Sequence, residues 1–525
     1  MNNDHKKQQK EREVLSEHQF YLPNNIGNIS SFSEYVKETS KQAGRFKSPH
    51  SQTDRLLTNM RQKIAELAGF DNLYSFQNSG YLVPSQWQEI FNYLHDEGII
   101  TSPQVHFESF FHDEPKLYSL RLFSTPLSDL TDGKVPTAGY SRGVSDDFEE
   151  ALSKVIGELL ERYPLTIYRK KDFIRSSYRV LKEKKRNPLD IFDLAGFADW
   201  QKELFPNRRF DDKSEFSWAE GVELLSGKQA LIPAQLIFWN YNFEQEPVEP
   251  FLRQPITNGA AGHFTREEAI LAGVYESIQR DAFLIHWLNK IAPPQISIDT
   301  VRNERLRTMI NRLQRYGFEV VFLNTTLDLE VPSCVCVFID KSGKGPKVGM
   351  GGGCGYDLVH AMMRSITEAT GVYHWLRTYD KSFSLPVDYK PFRTRGIGHE
   401  SRLFFWGNPD SFSKFEWLLS GPSQSFEVAA CVYPTSFQNS VEELGHLKKV
   451  FRKFGKGYEI YVYEAQHKIL ESLGYHSVRT VVPALLPLYL EEVSAPLWAR
   501  RLREVPQKMG YQRAHEPYPW PHPFP

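Results

Sequence analysis

Residues 257–283 read TNGAAGHFTREEAILAGVYESIQRDAF. The opening TNGAAGH is built of small residues and lets the backbone approach a ligand closely. Thr265 and Glu268 then stand at capping-box spacing, which starts a helix. Apolar residues recur at helical intervals from there, so a helix is predicted over 266–290. Glu268, Glu276, Gln279 and Arg280 fall along one side of it. The capping box alone is a sufficient reason for Glu268.

Two further helices share this plan. Over 147–163 (DFEEALSKVIGELLERY) the apolar face runs from Phe148 to Tyr163, and Asp146 with Glu149 gives a capping-box-like start. Glu158 and Glu161 lie one turn apart, so both carboxylates can reach one point. Two hard oxygen ligands at that spacing suit Mg2+ carrying nucleotide phosphates. For this helix alone, a solvated face is the simpler explanation. The third helix is predicted over 357–377, where Arg364 and Glu368 are an i, i+4 pair that an intrahelical salt bridge explains equally well. Before it, 349–355 (GMGGGCG) reads as a flexible turn able to cradle phosphate. It is not a P-loop, because no GK[ST] follows at the required place. Strand-like runs at 230–239, 318–324, 334–339 and 458–462 separate the helices, which indicates an α/β architecture.

The chain has 525 residues, 41% hydrophobic and 24% charged, enough to bury a core. Its 63 Lys plus Arg balance 64 Asp plus Glu, which argues against a general nucleic-acid binder. The cysteines, Cys334, Cys336, Cys354 and Cys431, give no disulfide framework and suit a reducing compartment. Cys334 and Cys336 share one face of a strand and read as core residues. The polar start MNNDHKKQQKEREVL is no signal peptide, and no run is long enough to span a membrane. A cytoplasmic protein without membrane or nucleic-acid partners is expected. Residues 1–17 read as a frayed arm, and 56–67 and 85–94 have helical spacing. Residues 1–116 are therefore expected to be a small mixed or helical accessory region that docks a partner. The chemistry is expected within 117–525.

In order and wording these segments resemble the YcaO family of ATP-dependent peptide-modifying enzymes. Ser141-Arg142-Gly143 followed by Glu158-x-x-Glu161-Arg162 resembles the opening motif, with Arg142 where Lys is usual and Lys154 where Ser is common. Residues 257–283 are similar to the family's N-G-x-A-x-G-x-T-x-E-E-A stretch and its E-x-x-E-R-D-A helix. Asn258, Gly259, Glu268, Glu276, Arg280 and Asp281 match, and Gln279 replaces a Glu. GYDLVHAMMRSITEA resembles the third motif through Arg364 and Glu368, with Gly371 where Gln is frequent. VVPALLPL, residues 481–488, is similar to a late strand. The resemblance covers about residue 117 onward and implies a YcaO-type ATP-binding domain.

It also implies cofactors and roles. ATP and Mg2+ are the expected cofactors. Glu158, Glu161, Glu268 and Glu276 are the expected metal ligands. Arg142, Arg162 and Arg280 are expected on phosphate, with Asn258, Gln279, Arg364 and Glu368 nearby. The closing PYPWPHPFP carries prolines at alternate positions through Pro525, a pattern that favours an extended segment. In this family such a tail marks azoline-forming cyclodehydratases, in which it is thought to line the active site. Pro525, Arg280 and Glu276 are accordingly the expected catalytic residues, with His522 a spacer or a proton carrier. The implied reaction is ATP-dependent cyclodehydration of Cys, Ser or Thr in a ribosomally made precursor peptide to thiazoline or oxazoline, as in thiazole/oxazole-modified microcin and bacteriocin biosynthesis. The alternatives are thioamide or macroamidine formation, or a catalytically silent scaffold. Implied partners are the precursor peptide and an E1-like or ocin-ThiF-like leader-binding protein. A flavin dehydrogenase in the same complex and a homodimer are both compatible with the family.

Overall fold

The computed structural model describes residues 78–82, 87–109, 117–125 and 139–524, apart from 316, 344, 380–382 and 431–435. The frayed arm, the helix read over 56–67, Cys431 and Pro525 lie outside the described residues. The chain divides into two compact units, 1–125 with 140–155, and 126–139 with 156–525.

In the first unit, β1 (Asn78–Leu82), β2 (Val105–Ser109), β3 (Tyr118–Phe123) and β4 (Tyr140–Ser145) form an antiparallel sheet in that order. Helix α1 (Gln88–Asp96) follows β1. The boundary expected at 116–117 thus falls inside one sheet, because β1 and β2 complete the ladder that β3 and β4 continue. Helix α2 (Phe148–Thr166) starts in this unit and continues into the second. Its cap is Asp147 rather than the expected Asp146: Asp147 Oδ1 accepts from Glu150 N at 2.9 Å. Glu149 instead accepts from Trp87 Nε1 at 2.6 Å. Gly143 is obligatory where β4 meets this helix, since a Cβ there would lie 1.9 Å from Ala151 O.

The second unit holds two sheets. One has the order β5 (Ile174–Ser177), β6 (Glu215–Glu223), β14 (Tyr461–Glu464), β15 (His476–Val481), β8 (Ala260–His263), with β7 (Lys228–Pro233) also on β6. The other has the order β12 (Val348–Cys354), β11 (Ser333–Asp340), β10 (Phe318–Asn324), β9 (Gln295–Ile296), β13 (Ser423–Gln424). Helix α3 (Arg266–Leu288) packs against both sheets. This explains why most of its surface is buried rather than one stripe. Helices α4 (Leu358–Tyr379), α5 (His399–Gly407), α6 (Ser440–Arg452) and α7 (Arg500–Lys508) complete the elements used below. The α/β class is as expected, and β10 coincides with the run read at 318–324.

Two expectations are corrected. The glycine run is a strand, β12, paired antiparallel with β11. Its glycines admit helices on both faces. A Cβ on Gly351 would lie 2.2 Å from Ala369 N of α4, and one on Gly353 would lie 2.1 Å from Ala361 O. On the opposite face a Cβ on Gly352 would lie 1.7 Å from Gln279 Nε2 of α3. Second, the segment 481–488 leaves the ladder after Val481, because Pro483 and Pro487 have no N–H to donate. Among the described residues no helix is long and apolar enough to cross a membrane.

Candidate active site

Helices α2 and α3 carry the acidic groups of the second unit into one cluster. Ser477 Oγ of β15 donates to Glu161 O at 3.0 Å, which ties the last turns of α2 to the sheet. Across that sheet the turn before β8 is drawn onto α3. Gly259 has φ +77°, and its N–H donates to Glu276 Oε2 at 2.7 Å. A Cβ on Gly259 would lie 2.4 Å from Thr480 O, and one on Gly273 would lie 2.7 Å from Gly259 O. These close approaches give the small residues of 257–263 their physical reason, and they set Asn258 next to a Glu276 hydrogen bond.

The electrostatics join Glu158, Glu161 and Glu276. Loss of hydration, opposed by Arg162 and reinforced by Glu276 and Glu158, pushes the Glu161 carboxyl up to about 8. Arg162 pairs with Glu158 at 2.6 Å, and Arg280 with Glu276 at 3.4 Å. Arg479, buried on β15, donates to Leu236 O at 2.9 Å and is attracted by Glu276 and Glu161. His399, at the start of α5, is held down to about 4 by burial and by Arg402, Arg162 and Arg280. Arg253 is pushed down to about 9 by burial and by Arg479.

This arrangement fits Mg2+ and a polyphosphate. A carboxyl kept protonated at neutral pH by loss of hydration, and further by neighbouring carboxylates, is relieved by a divalent cation. Among the described residues no three His, Cys, Asp or Glu side chains form a ready-made cage. Buried donors also await acceptors: Gln279 Nε2, Arg280 Nε, and Arg253 Nε and Nη2 have no partner in the protein. Glu161 and Glu276 with Arg162, Arg280 and Arg479 thus set charges of both signs against one another.

The remaining expected residues have these surroundings. Glu268 sits two turns before Glu276 on α3, about 12 Å along the axis at the usual rise. It meets His263 Nδ1 at 2.7 Å and the Thr265 hydroxyl. Arg364 and Glu368 lie on the α4 side of β12, their Cβ atoms against Gly353 and Gly351. Both are exposed, and no ion pair joins them. Arg142 stands on β4 of the first unit, opposite Arg121 on β3. Asp281 of the same motif is structural: it accepts from Arg501 at 2.8–3.0 Å and from Leu486 N at 3.0 Å.

The proline tail enters the core of the second unit. Tyr518 N donates to Leu288 O, Trp287 Nε1 to Trp520 O and Trp406 Nε1 to Pro521 O, at 2.8, 3.2 and 2.8 Å. His522 is 0% exposed: its Nδ1 accepts from Arg402 Nη1 at 2.8 Å and its Nε2 donates to Tyr489 O at 2.7 Å. Phe524, also 0% exposed, packs on Phe283 with ring centroids 4.1 Å apart. The Arg280 guanidinium lies 5.2 Å from its ring centroid.

Residues 142–486 match the family described as YcaO cyclodehydratase, ATP- and Mg2+-binding. The chain belongs to the YcaO family. A heterocyclase in complex with substrate and cofactor shares the fold, with a TM-score of 0.60 and 19% identity over 77% of this chain and 53% of that one. The YcaO protein of Methanopyrus kandleri, bound with AMPPCP and Mg2+, gives 0.53 and 15% over 76% and 90%. An uncharacterised protein of the tfuA 3' region of Rhizobium leguminosarum bv. trifolii is 23% identical over 48% of this chain and 59% of its own. The chain spans less than two thirds of the length of the curated relatives it matches. Within the YcaO domain, Arg253, His399, Arg402 and Arg479 had no signal in sequence. They come from four separated segments, and only the fold gathers them.

Proposed function

We propose that this YcaO protein converts Cys, Ser or Thr of a precursor peptide to azoline rings in an ATP-dependent cyclodehydration. The observation that carries the proposal is the seating of the tail, whose last described residue, Phe524, lies on Arg280, one turn from Glu276. Bound ATP with Mg2+ supplies the phosphoryl group that turns the substrate amide oxygen into a leaving group. The side chain of the substrate residue adds to the preceding carbonyl carbon, the amide oxygen leaves as phosphate, and the ring remains with loss of one water overall.

Each protein group has a positioning or charge-balancing part. Glu158, Glu161 and Glu276 would hold the metal together with phosphate oxygens and water. Arg162, Arg280, Arg479 and Arg253 offset phosphate charge, and the amide of Gln279 donates a hydrogen bond from a buried position. Pro525 follows Phe524 and is assigned to aligning the substrate amide. The similar fold of a heterocyclase solved with substrate and cofactor supports a ring-forming reaction. A separate leader-binding protein is the expected partner. The test is mass spectrometry of the precursor peptide after incubation with the protein, its leader-binding partner, ATP and Mg2+. Loss of one water per ring is the expected result. Exchange of oxygen for sulfur would point to thioamide formation, and an unmodified peptide beside normal nucleotide binding would point to a scaffold.

A further inference from the structure

A cavity of about 420 Å³ in the second unit lies apart from the carboxylate cluster, since none of Glu158, Glu161, Glu276 or Arg280 lines it. Its volume falls in the range of about 300–1,000 Å³ typical of ligand clefts. Six basic side chains line it against one acidic residue, Asp193. Four of the six are engaged. Lys456 lies 3.2 Å from both Asp190 and Asp193, and Lys202 lies 3.4 Å from Asp199. Arg208 donates to Val493 O at 2.6 Å between the rings of Phe197 and Phe205. Arg500 donates to Lys456 O at 3.3 Å and lies 3.9 Å from Glu504. Arg209 and Arg503 have no carboxylate partner. Arg503 is stacked 4.2 Å over Trp498, and its buried Nε has no acceptor. Trp498 and Phe192 are 54% and 50% exposed, large rings turned to solvent beside these cations.

We propose that this cavity is a second docking site, for an acidic polypeptide segment that also carries apolar side chains. The two guanidiniums lacking carboxylates complement carboxylates, and the half-exposed rings complement the apolar side chains between them. A small inorganic anion would leave the rings without a partner. A peptide satisfies both chemistries along its length and is also the kind of substrate proposed above. The identity of the segment as part of that substrate rests on the proposed function; the chemistry of the cavity does not. Docking there would hold a peptide at a point distinct from the reacting residue.

The experiment is fluorescence anisotropy on the full chain with a labelled octapeptide of alternating Glu and Leu. A Gln/Leu peptide is the charge-neutral control, and Mg-ATP affinity is measured in parallel. The acidic peptide should bind more tightly than the control, and more weakly as salt rises. Arg209→Glu with Arg503→Glu should weaken it about tenfold or more while leaving Mg-ATP affinity unchanged. If Arg503→Glu impairs folding, the exposed Arg209→Glu alone should still weaken binding measurably. Equal binding of the control, displacement of the peptide by ATP, or insensitivity to Arg209→Glu would overturn the proposal. Specific peptide binding by a protein that forms no rings would refute the cyclodehydration reading and leave the docking site standing.

Discussion

His522 anchors the buried end of the tail through Arg402 and Tyr489. It is fully buried, and desolvation beside Arg402 holds its ring well below the ordinary histidine range, so it is neutral. The His522→Ala change removes the acceptor for Arg402 and the donor to Tyr489 O. A hydrogen bond from a charged group contributes about 1.5–3 kcal/mol and a neutral one about 1 kcal/mol. The loss, about 2.5–4 kcal/mol, shifts the balance between seated and released tail about 60- to 700-fold. Arg402 is then left buried with fewer partners, near a Glu492 carboxyl that burial has raised to about 7.

The assay is hydrogen exchange over residues 517–524 together with ring formation and Mg-ATP affinity. The alternating prolines carry no N–H, so Tyr518, Trp520, His522 and Phe524 are the reporting amides. Exchange there should accelerate and ring formation should fall, while nucleotide affinity stays unchanged. Accelerated exchange with undiminished ring formation would refute the positioning role of the tail. Unchanged exchange would refute the anchoring role of His522.

Glu158→Gln or Glu276→Gln should abolish ATP turnover without unfolding the chain, because partly exposed helix-face changes cost little stability; normal ATP consumption in both would dissolve the assigned cluster. With the Glu161 carboxyl at about 8, Mg-ATP binding at pH 7 should release about one proton. Calorimetry in buffers of different ionisation heat reads this directly, and zero release would remove Glu161 from the metal site. Arg501 is buried against Asp281 and Asp328 at 2.8 and 2.7 Å, so Arg501→Ala should destabilise the protein by about 3–5 kcal/mol. An unaltered denaturation midpoint would contradict that. Stability should also vary with pH. Burial depresses His286 and His399 to about 4 and holds His522 well below the ordinary histidine range. The unfolded chain takes up those protons below about pH 6.5, so each histidine removes about 1.4 kcal/mol per pH unit on acidification. Glu492 and Glu161, raised to about 7 and 8, act with the opposite sign and remove stability as pH rises from about 4.5 toward those values. Thermal midpoints without nucleotide should therefore peak near pH 6.5, and a maximum at pH 5 or 9 would refute these assignments.

What was legible in the sequence follows from how local each cause is. Helical periodicity, the Thr265 cap and the strand at 318–324 are settled by neighbours a few residues away, and these were readable. Glu158 and Glu161 share one helix, and their spacing placed them together before any fold was known. The glycine run was misread for the opposite reason. Alone, GMGGGC has the composition of a turn, and only the approach of α4 on one face and of Gln279 on the other makes it a strand. The Asp147 cap differs from the expected one by a single residue, a choice tied to Trp87 taking Glu149.

The same argument explains why the tail carries more weight than the motif carboxylates. A row of glutamates on a helix has a sufficient explanation in solvation, and Arg364 with Glu368 had one in an ion pair. The fold removes both excuses unequally. Loss of hydration, with Glu276 and Glu158 beside it, pushes the Glu161 carboxyl up to about 8, which a solvated face would not do. Arg364 and Glu368 form no ion pair, so neither is held by the other. The tail goes further, because an extended segment rich in proline has little reason of its own to be buried. Yet Trp287, Trp406, Arg402 and Tyr489 each give it a hydrogen-bonding group, from α3, α5 and the segment after β15. Residues that distant in the chain do not converge on PYPWPHPF through composition. Their convergence brings Phe524 to Arg280, one turn from Glu276 on α3.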